Sequence, residues 1–482
     1  MKDIRKWLAA LVSVIILVSG CLCFAAAEEK AEDEQGIGSY VFLEDGTAKL
    51  IYYISDKEDI TVPAETDGRP VTAVGEEALC MCENMKRVTI PDSVTIIEGN
   101  PFTICEKLEE ILVSPDHPAL GVRDSVLFSK ADARLIVCPT AVSFKSYTVP
   151  DGTKVIGNDA FWDCKLNSLM IPEGVKEIGD RAFYYCENLK DVTIPCSVKK
   201  IGESAFTGNS SLESFTLSEG VEELGDCIFW GCERLTSIAI PDSVKTIGSN
   251  PFVRCNGLKE IMVSPDHPVL EMKDGALFSR PDSRLVYYPL ERKDEAYGIP
   301  AGTKAIGGFA FWYNDYLTSV TIPDSVTEIR NDAFGMCRHL KEAAIPESVK
   351  VIGEAAFSGC ESITSVTIPK SVTRIDRFGF QGCRTLKEVT IPESVTEICE
   401  WAFCDCFGLE FVLIPDGVKE IGPYTFGFCD SLKSVTIPDS VELIEDSAFI
   451  ECGEHVTFTV GRDSYAQQYC ERFGYAFEIR DK

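Results

Sequence analysis

The sequence predicts a β-dominated α/β solenoid built from 23-residue units. Three observations carry this expectation. Pro323, Pro346, Pro369, Pro392, Pro415 and Pro438 recur at an invariant spacing of 23, each after an isoleucine, from Ile322 to Ile437. The residues before each proline alternate apolar and polar, as in Val389-Thr390-Ile391, the signature of a strand with one buried face. An Ala-Phe run then leads to Cys and Leu or Ile in steps of three, as in Phe357, Cys360 and Ile363. A fixed period of this length means stacked units, each burying its apolar face only against its neighbours.

Aligned on the strand end, the period runs through 17 units, from a divergent first at Val62 to the last at Val460. The steps Ile90 to Val113, Leu217 to Ile240 and Ile437 to Val460 keep register even where proline is missing, after Val113, Leu217 and Val460. In the unit Leu386–Ile398, Pro392 ends the strand because it has no N–H for the ladder, and Val395 and Ile398 face inward on the return path. A glycine such as Gly353 or Gly422 then suits a sharp turn. Steps of three place Phe, Cys and Leu on one face of a short helical turn. The expected unit is therefore strand, turn and short helical segment, with a parallel sheet on one face and helical segments on the other.

Two steps lengthen to 36, at residues 114–149 and 264–299. Both open with Ser-Pro-Asp-His-Pro and continue with paired apolar runs, Val126-Leu127-Phe128 and Leu135-Ile136-Val137 in one, Ala276-Leu277-Phe278 and Leu285-Val286-Tyr287 in the other. These read as hairpin inserts, 150 residues apart, left by duplication of a multi-unit block. Residues 38–62, with Asp45-Gly46 between two apolar runs, predict an N-terminal hairpin cap to the solenoid at 63–461. Residues 462–482 predict a C-terminal cap, a helix from Ser464 to Phe473 and a last strand.

The chain begins as an export signal. Lys2, Arg5 and Lys6 precede the apolar stretch Trp7 to Val18, too short for a bilayer span. Cleavage after Ala27 leaves a secreted protein, whereas Val18-Ser19-Gly20-Cys21 fits a lipobox that makes Cys21 a candidate lipidation site and the protein a lipoprotein. Residues 28–37 are acidic and read as a flexible spacer. The net charge of −30 disfavours nucleic acid and anionic lipid as partners, so contact with a membrane is expected only through a lipid on Cys21.

Of 21 cysteines, 12 share one position of the unit: Cys82, Cys105, Cys164, Cys186, Cys232, Cys255, Cys337, Cys360, Cys383, Cys406, Cys429 and Cys452. Asn209 and Asn314 fill it elsewhere. A small buried group that bonds nearby backbone explains both, so few or no disulfides are expected in this column. Cys399, Cys404 and Cys406 lack the spacing of a zinc or redox site.

The pattern Leu-x-x-Val-Thr-Ile-Pro-x-Ser-Val-x-x-Ile-Gly-x-x-Ala-Phe-x-x-Cys resembles the BspA-like, or Treponema pallidum-type, leucine-rich repeats. Leu340 to Cys360 is a strong copy, and Leu432 to Phe449 another with Glu445 in place of the usual glycine. The resemblance covers about residues 38 to 482. It implies a secreted or cell-surface bacterial protein of adhesin-like, non-catalytic character, binding a host matrix protein, a cell-surface protein or a glycan. It supplies no catalytic residue, cofactor or metal ligand to transfer.

The residues themselves point the same way. His117, His267, His339 and His455 have no neighbouring nucleophile outside the repeat pattern, and no phosphate-cradling glycine loop occurs, so no catalytic, cofactor or metal site is expected. The working surface is the outward strand face of a monomer. Its rows are mostly threonine, serine and charged residues, and the candidate ligand contacts are the departures: Phe411 with Leu413, and singly Met170 and Met262. Alternative readings are an envelope spacer and a module that captures glycan or peptide, although no aromatic row lines the outward face.

Overall fold

The computed structural model describes residues 29–32, 37–142, 144–453 and 455–480. Residues 1–27, read above as an export signal, and the candidate lipidation site Cys21 lie outside the described residues. The chain forms two compact units, residues 1–143 with 153–164, and residues 144–152 with 165–482. Both are β-solenoids of 23-residue coils.

The first unit opens with the hairpin Ile37–Phe42 and Ala48–Ile54 around Asp45-Gly46. The Asp45 carboxylate accepts from the Thr47 hydroxyl at 2.7 Å and its N–H at 3.0 Å, contacts that hold it below the usual carboxylate range. Within the segment read as a spacer, Glu29–Glu32 lies as a strand antiparallel to Ile37–Tyr40. The strands Asp59–Thr61, Arg87–Ile90 and Glu110–Val113 then stack in parallel.

The second unit shows the coil at its most regular. Ser365–Thr367, Glu388–Thr390, Phe411–Leu413, Ser434–Thr436 and Thr457–Val460 form one parallel ladder, with every central residue buried. The return path carries a second parallel ladder of two-residue strands, Arg374–Ile375, Glu397–Ile398, Glu420–Ile421 and Leu443–Ile444. Between the two ladders one phenylalanine per coil forms a spine. The rings of Phe311, Phe334, Phe357, Phe380, Phe403, Phe426 and Phe449 stack face to face with centroids 4.9 to 5.5 Å apart. That separation approaches the spacing of hydrogen-bonded strands, so the backbone repeat sets the ring stack.

The third side of the coil differs from the helical segment expected. Among the described residues, helix occurs only at Leu290–Arg292 and Tyr465–Phe473. The steps of three are real, since the N–H groups of Gly335 and Cys337 bond the carbonyls of Asp332 and Phe334. Left-handed residues four apart break any helix: Asp332 and Met336, Ala355 and Gly359, Phe378 and Gly382, Trp401 and Asp405, Tyr424 and Phe428. A side chain there costs roughly 1–2 kcal/mol. Bonds between coils offset this. The N–H groups of Asp332, Phe334 and Met336 donate to the carbonyls of Glu354, Ala356 and Ser358 in the next coil at 2.7 to 2.9 Å. Trp401 and Tyr424, both left-handed, stack at 4.1 Å.

The glycine after the return isoleucine also has a different cause from the one expected. Gly353 has no left-handed φ; a β-carbon there would lie 2.5 Å from Asn331 Oδ1 and 2.8 Å from its backbone nitrogen. The Asn331 side chain accepts from the Glu354 N–H at 3.2 Å, and Asp180 and Asp226 do the same for Glu203 and Ser249. At Gly202, Gly248 and Gly353 glycine makes room for the preceding coil's polar side chain, whereas a β-carbon at Gly422 would meet only ordinary contacts with Glu400.

Each insert has three antiparallel strands rather than two. In the first unit these are Leu120–Arg123, Val126–Ser129 and Arg134–Val137; in the second, Leu270–Lys273, Ala276–Ser279 and Arg284–Tyr287. Asp124-Ser125 and Asp274-Gly275 turn the first two strands, all at positive φ as a type I′ hairpin requires. His117 and His267, in the opening turns, are buried. His267 Nδ1 accepts from the Val269 and Leu270 N–H groups at 3.2 and 3.0 Å while Nε2 reaches the Pro241 carbonyl at 3.0 Å, and His117 repeats this arrangement. The histidines are structural staples of the insert.

The coil before each insert carries Asn-Pro-Phe where most others have x-Ala-Phe: Asn100-Pro101-Phe102 and Asn250-Pro251-Phe252. Asn250 Oδ1 accepts from the Phe252 N–H at 2.9 Å and its Nδ2 donates to the Phe309 carbonyl at 2.8 Å, 59 residues on. Asn100 bonds Phe102 and Asp159 in the same way. The amide replaces ladder bonds that the insert would otherwise interrupt.

At the C-terminal end, Ser464 caps the helix Tyr465–Phe473 by accepting from Gln467 N–H, and Ala476–Ile479 pairs with Thr457–Val460. The Tyr475 hydroxyl donates to the Phe449 carbonyl at 3.1 Å.

Two outcomes test this account. Asn250→Ala leaves the Phe252 N–H and Phe309 carbonyl without the amide and should cost about 1–3 kcal/mol in chemical denaturation. Asp332 is half-buried, and desolvation with the facing Glu354 raises its carboxyl to about 7. An acid with a raised folded pKa stabilises fully below its unfolded value near 3.8 and loses that contribution as pH rises through 7. The gain in melting temperature from Asp332→Asn should therefore be larger at pH 8 than at pH 4; equal gains would contradict the shift.

Candidate interaction surface

The strand face presents alternate residues outward because side chains of a strand alternate sides. In Phe411–Leu413 the central Val412 is buried, which sends both flanking side chains out. Phe411 is 54% and Leu413 58% exposed. Phe411 lies in register between Glu388 and Ser434, and Leu413 beside Thr436, so the apolar pair is framed by polar neighbours. Lys433 stands 5.8 Å from the Phe411 ring and also pairs with Glu410, whose carboxyl it holds below the usual range.

The same coil adds a residue that sequence reasoning missed. Phe407, in the bend before the strand, is exposed, with the Arg384 guanidinium 5.7 Å from its ring. Bend residues follow no alternation, so only the neighbouring apolar pair could have drawn attention to it. Phe407, Phe411 and Leu413 are exposed in this coil, and Trp401 is half-buried against Tyr424. Met170 and Met262 are also exposed, beside Thr148 and Ala239. The structure does not bring either methionine to the Phe411 strand.

The column cysteines face inward. Each thiol of Cys232, Cys255, Cys337, Cys360, Cys383, Cys406, Cys429 and Cys452 donates to a phenylalanine carbonyl 26 residues earlier, at 3.0 to 3.4 Å. Asn209 makes the same bond through Nδ2, to Phe183. At the chain end the Tyr475 hydroxyl takes the thiol's place, again 26 residues beyond its acceptor. Burial pushes Cys337 and Cys383 up to about 12, the opposite of a reactive thiol. Cys232, Cys255, Cys337, Cys360, Cys383, Cys406, Cys429 and Cys452 are free thiols rather than disulfides. Among those residues no group of three or more His, Cys, Asp or Glu side chains is placed to hold a metal ion.

A family model described as the BspA type leucine rich repeat region matches residues 52–123, 138–259, 295–409 and 350–471, in six copies. The chain belongs to the BspA-type leucine-rich repeat family. Among solved structures, a leucine-rich repeat protein of Eubacterium ventriosum ATCC 27560 is similar, with 21% identity over 89% of this chain and 95% of that one and a TM-score of 0.51. A leucine rich cell surface protein of Faecalibacterium prausnitzii A2-165 has 26% identity over 92% and 97%, with a TM-score of 0.42. A leucine-rich repeat protein of Bacteroides ovatus ATCC 8483 has 24% identity over 95% and 100%, with a TM-score of 0.41. A search of the curated proteins finds no match. The likeness to these structures is one of fold; the leucine-rich repeat accounts for the Phe and Cys columns and leaves the Phe411 coil as its own feature.

Thiol labelling checks the column. In the native protein at pH 8, iodoacetamide should modify the exposed Cys196 first and leave Cys337, Cys360 and Cys383 untouched. In denaturant without reductant the column thiols should all react; fewer than about half would mean that disulfides form there after all.

Proposed function

We propose that this protein is an exported, non-catalytic binding protein that holds a protein partner on its strand face, in the manner of a bacterial surface adhesin. The observation that carries the reading is the outward pair Phe411 and Leu413 amid polar rows. Solvent-facing apolar clusters with polar surroundings mark contact sites, and aromatic anchors dominate binding energies. Phe407 enlarges the patch, and Arg384 and Lys433 at its ring faces supply cations that suit a partner with acidic groups around an apolar centre. Membership of the BspA-type family and the cell-surface description of the Faecalibacterium relative support a surface location. The N-terminal segment supplies the export route, ending in a free secreted chain or in a lipid on Cys21. Host matrix and cell-surface proteins are the partner class.

The mature protein should bind one or more immobilised matrix proteins saturably. The double substitution Phe411→Ser, Leu413→Thr should weaken that binding by about tenfold or more, with an unchanged circular dichroism spectrum. A protein that serves only as a spacer would retain no partner.

A further inference from the structure

The second insert opens a cleft in the strand face. Glu260–Val263 and Ala296–Gly298 belong to successive coils and share no hydrogen bond, as is also true of Ser214–Leu217 and Ser237–Ile240 in the regular stack; what sets this break apart is the insert strand Leu270–Lys273, which ends a third sheet beside it. A cavity of about 360 Å³ lies beside this break. Its walls include Leu258, Ile261, Met272 and Pro289, and its mouth carries Lys259, Glu260, Glu291 and Arg292. Ile261 is an inward position. Its equivalents Ile238 and Val320 are 1% and 4% exposed, whereas Ile261 is only half-buried, so the core is incomplete here. Met262, an exposed outward residue, sits on the same strand.

The first insert is an internal control. At the positions 150 residues earlier, Leu108, Ile111 and Pro139 repeat the apolar wall, but Glu109, Ala141 and Val142 stand in place of Lys259, Glu291 and Arg292. The second copy alone has acquired a mouth with charges of both signs. Arg292 is fixed there by Asp294 at 2.6 Å and by the Asp274 carbonyl, so its side chain is preorganised.

We propose that this cleft binds one extended polypeptide segment of a partner protein, with a large apolar side chain seated against Leu258, Ile261 and Met272. An unpaired strand edge needs N–H and C=O groups at strand spacing, which a polypeptide supplies and a glycan or lipid does not. The apolar side chain completes the core beside Ile261, and methionine walls adapt to its shape. Lys259 and Glu291 select flanking residues of both charges. The inference rests on the strand face being a protein-binding surface, and gives that surface a second, sequence-selective anchor.

The probe is a fluorescent nonapeptide of alternating threonine and valine, with lysine and glutamate at its ends and leucine or glycine at its centre. Anisotropy should show saturable binding of the leucine peptide to the full chain, with the glycine peptide weaker by about tenfold. Met272→Asp, at an exposed position, should abolish binding; Glu291→Ala with Arg292→Val, the residues of the first insert, should reduce it. No binding of the leucine peptide, or equal binding by Met272→Asp, would overturn the proposal. Phe411→Ser, Leu413→Thr separates the two readings. Matrix-protein binding that this double variant weakens and Met272→Asp does not, without peptide binding, sinks the cleft and keeps the strand-face patch. Peptide binding lost only in Met272→Asp, without any matrix partner, keeps the cleft and sinks the adhesin reading.

Discussion

Everything in the regular coils follows from one distance, the separation of hydrogen-bonded backbones, about 4.8 Å. A side chain at a given position meets its own kind one coil away. Flat rings tolerate that meeting by stacking, which is why Phe311 through Phe449 form an unbroken spine. A thiol tolerates it because its partner is a backbone carbonyl of the preceding coil rather than the next thiol. Bulk does not fit where a polar side chain crosses between coils, and there the chain uses glycine, as at Gly353 against Asn331.

The strand, the proline and the cysteine column were legible because each depends on alternation or on a fixed count. Val389 and Ile391 announce a buried face whatever lies around them. The third side of the coil was not legible as a turn ladder, because steps of three belong both to helical turns and to successive tight turns. Left-handed φ is what separates the two, and Asp332, Ala355, Phe378, Trp401 and Tyr424 share no chemistry that would reveal it. The two-residue ladder at Glu397–Ile398 is too short to show a period. Among the candidate contacts, Phe411 and Leu413 were readable from strand alternation, whereas Phe407 sits in a bend and the cleft gathers residues from Leu258 to Arg292 that meet only through the insert.

The inserts show how a repetitive fold makes room for something singular. The same devices occur in both: a buried histidine, a type I′ turn, an asparagine before a proline, and an arginine reaching back. Arg284 Nη1 and Nη2 donate to the carbonyls of Gly248 and Ile247 at 3.0 and 2.9 Å, and Arg134 Nη2 donates to Ile97 at 3.1 Å. With the backbone held by these bonds, the side chains at the mouth are free to differ between the copies, and Lys259, Glu291 and Arg292 do differ from Glu109, Ala141 and Val142.

The turn-side ladder gives the stack a polarity. From Phe309 to Phe428 the bonded N–H groups point toward later coils and the carbonyls toward earlier ones, so the peptide dipoles add along the column as they do in a helix. Its two ends are electrically unlike, and a cap suited to one would repel the other. Inside the column every coil accepts on one side and donates on the other, and a coil copied or lost there leaves no bond unmade. Copy number is thus free to drift in the middle of such a chain while its termini are held to one design, an asymmetry written in the direction of its amides rather than in any one side chain.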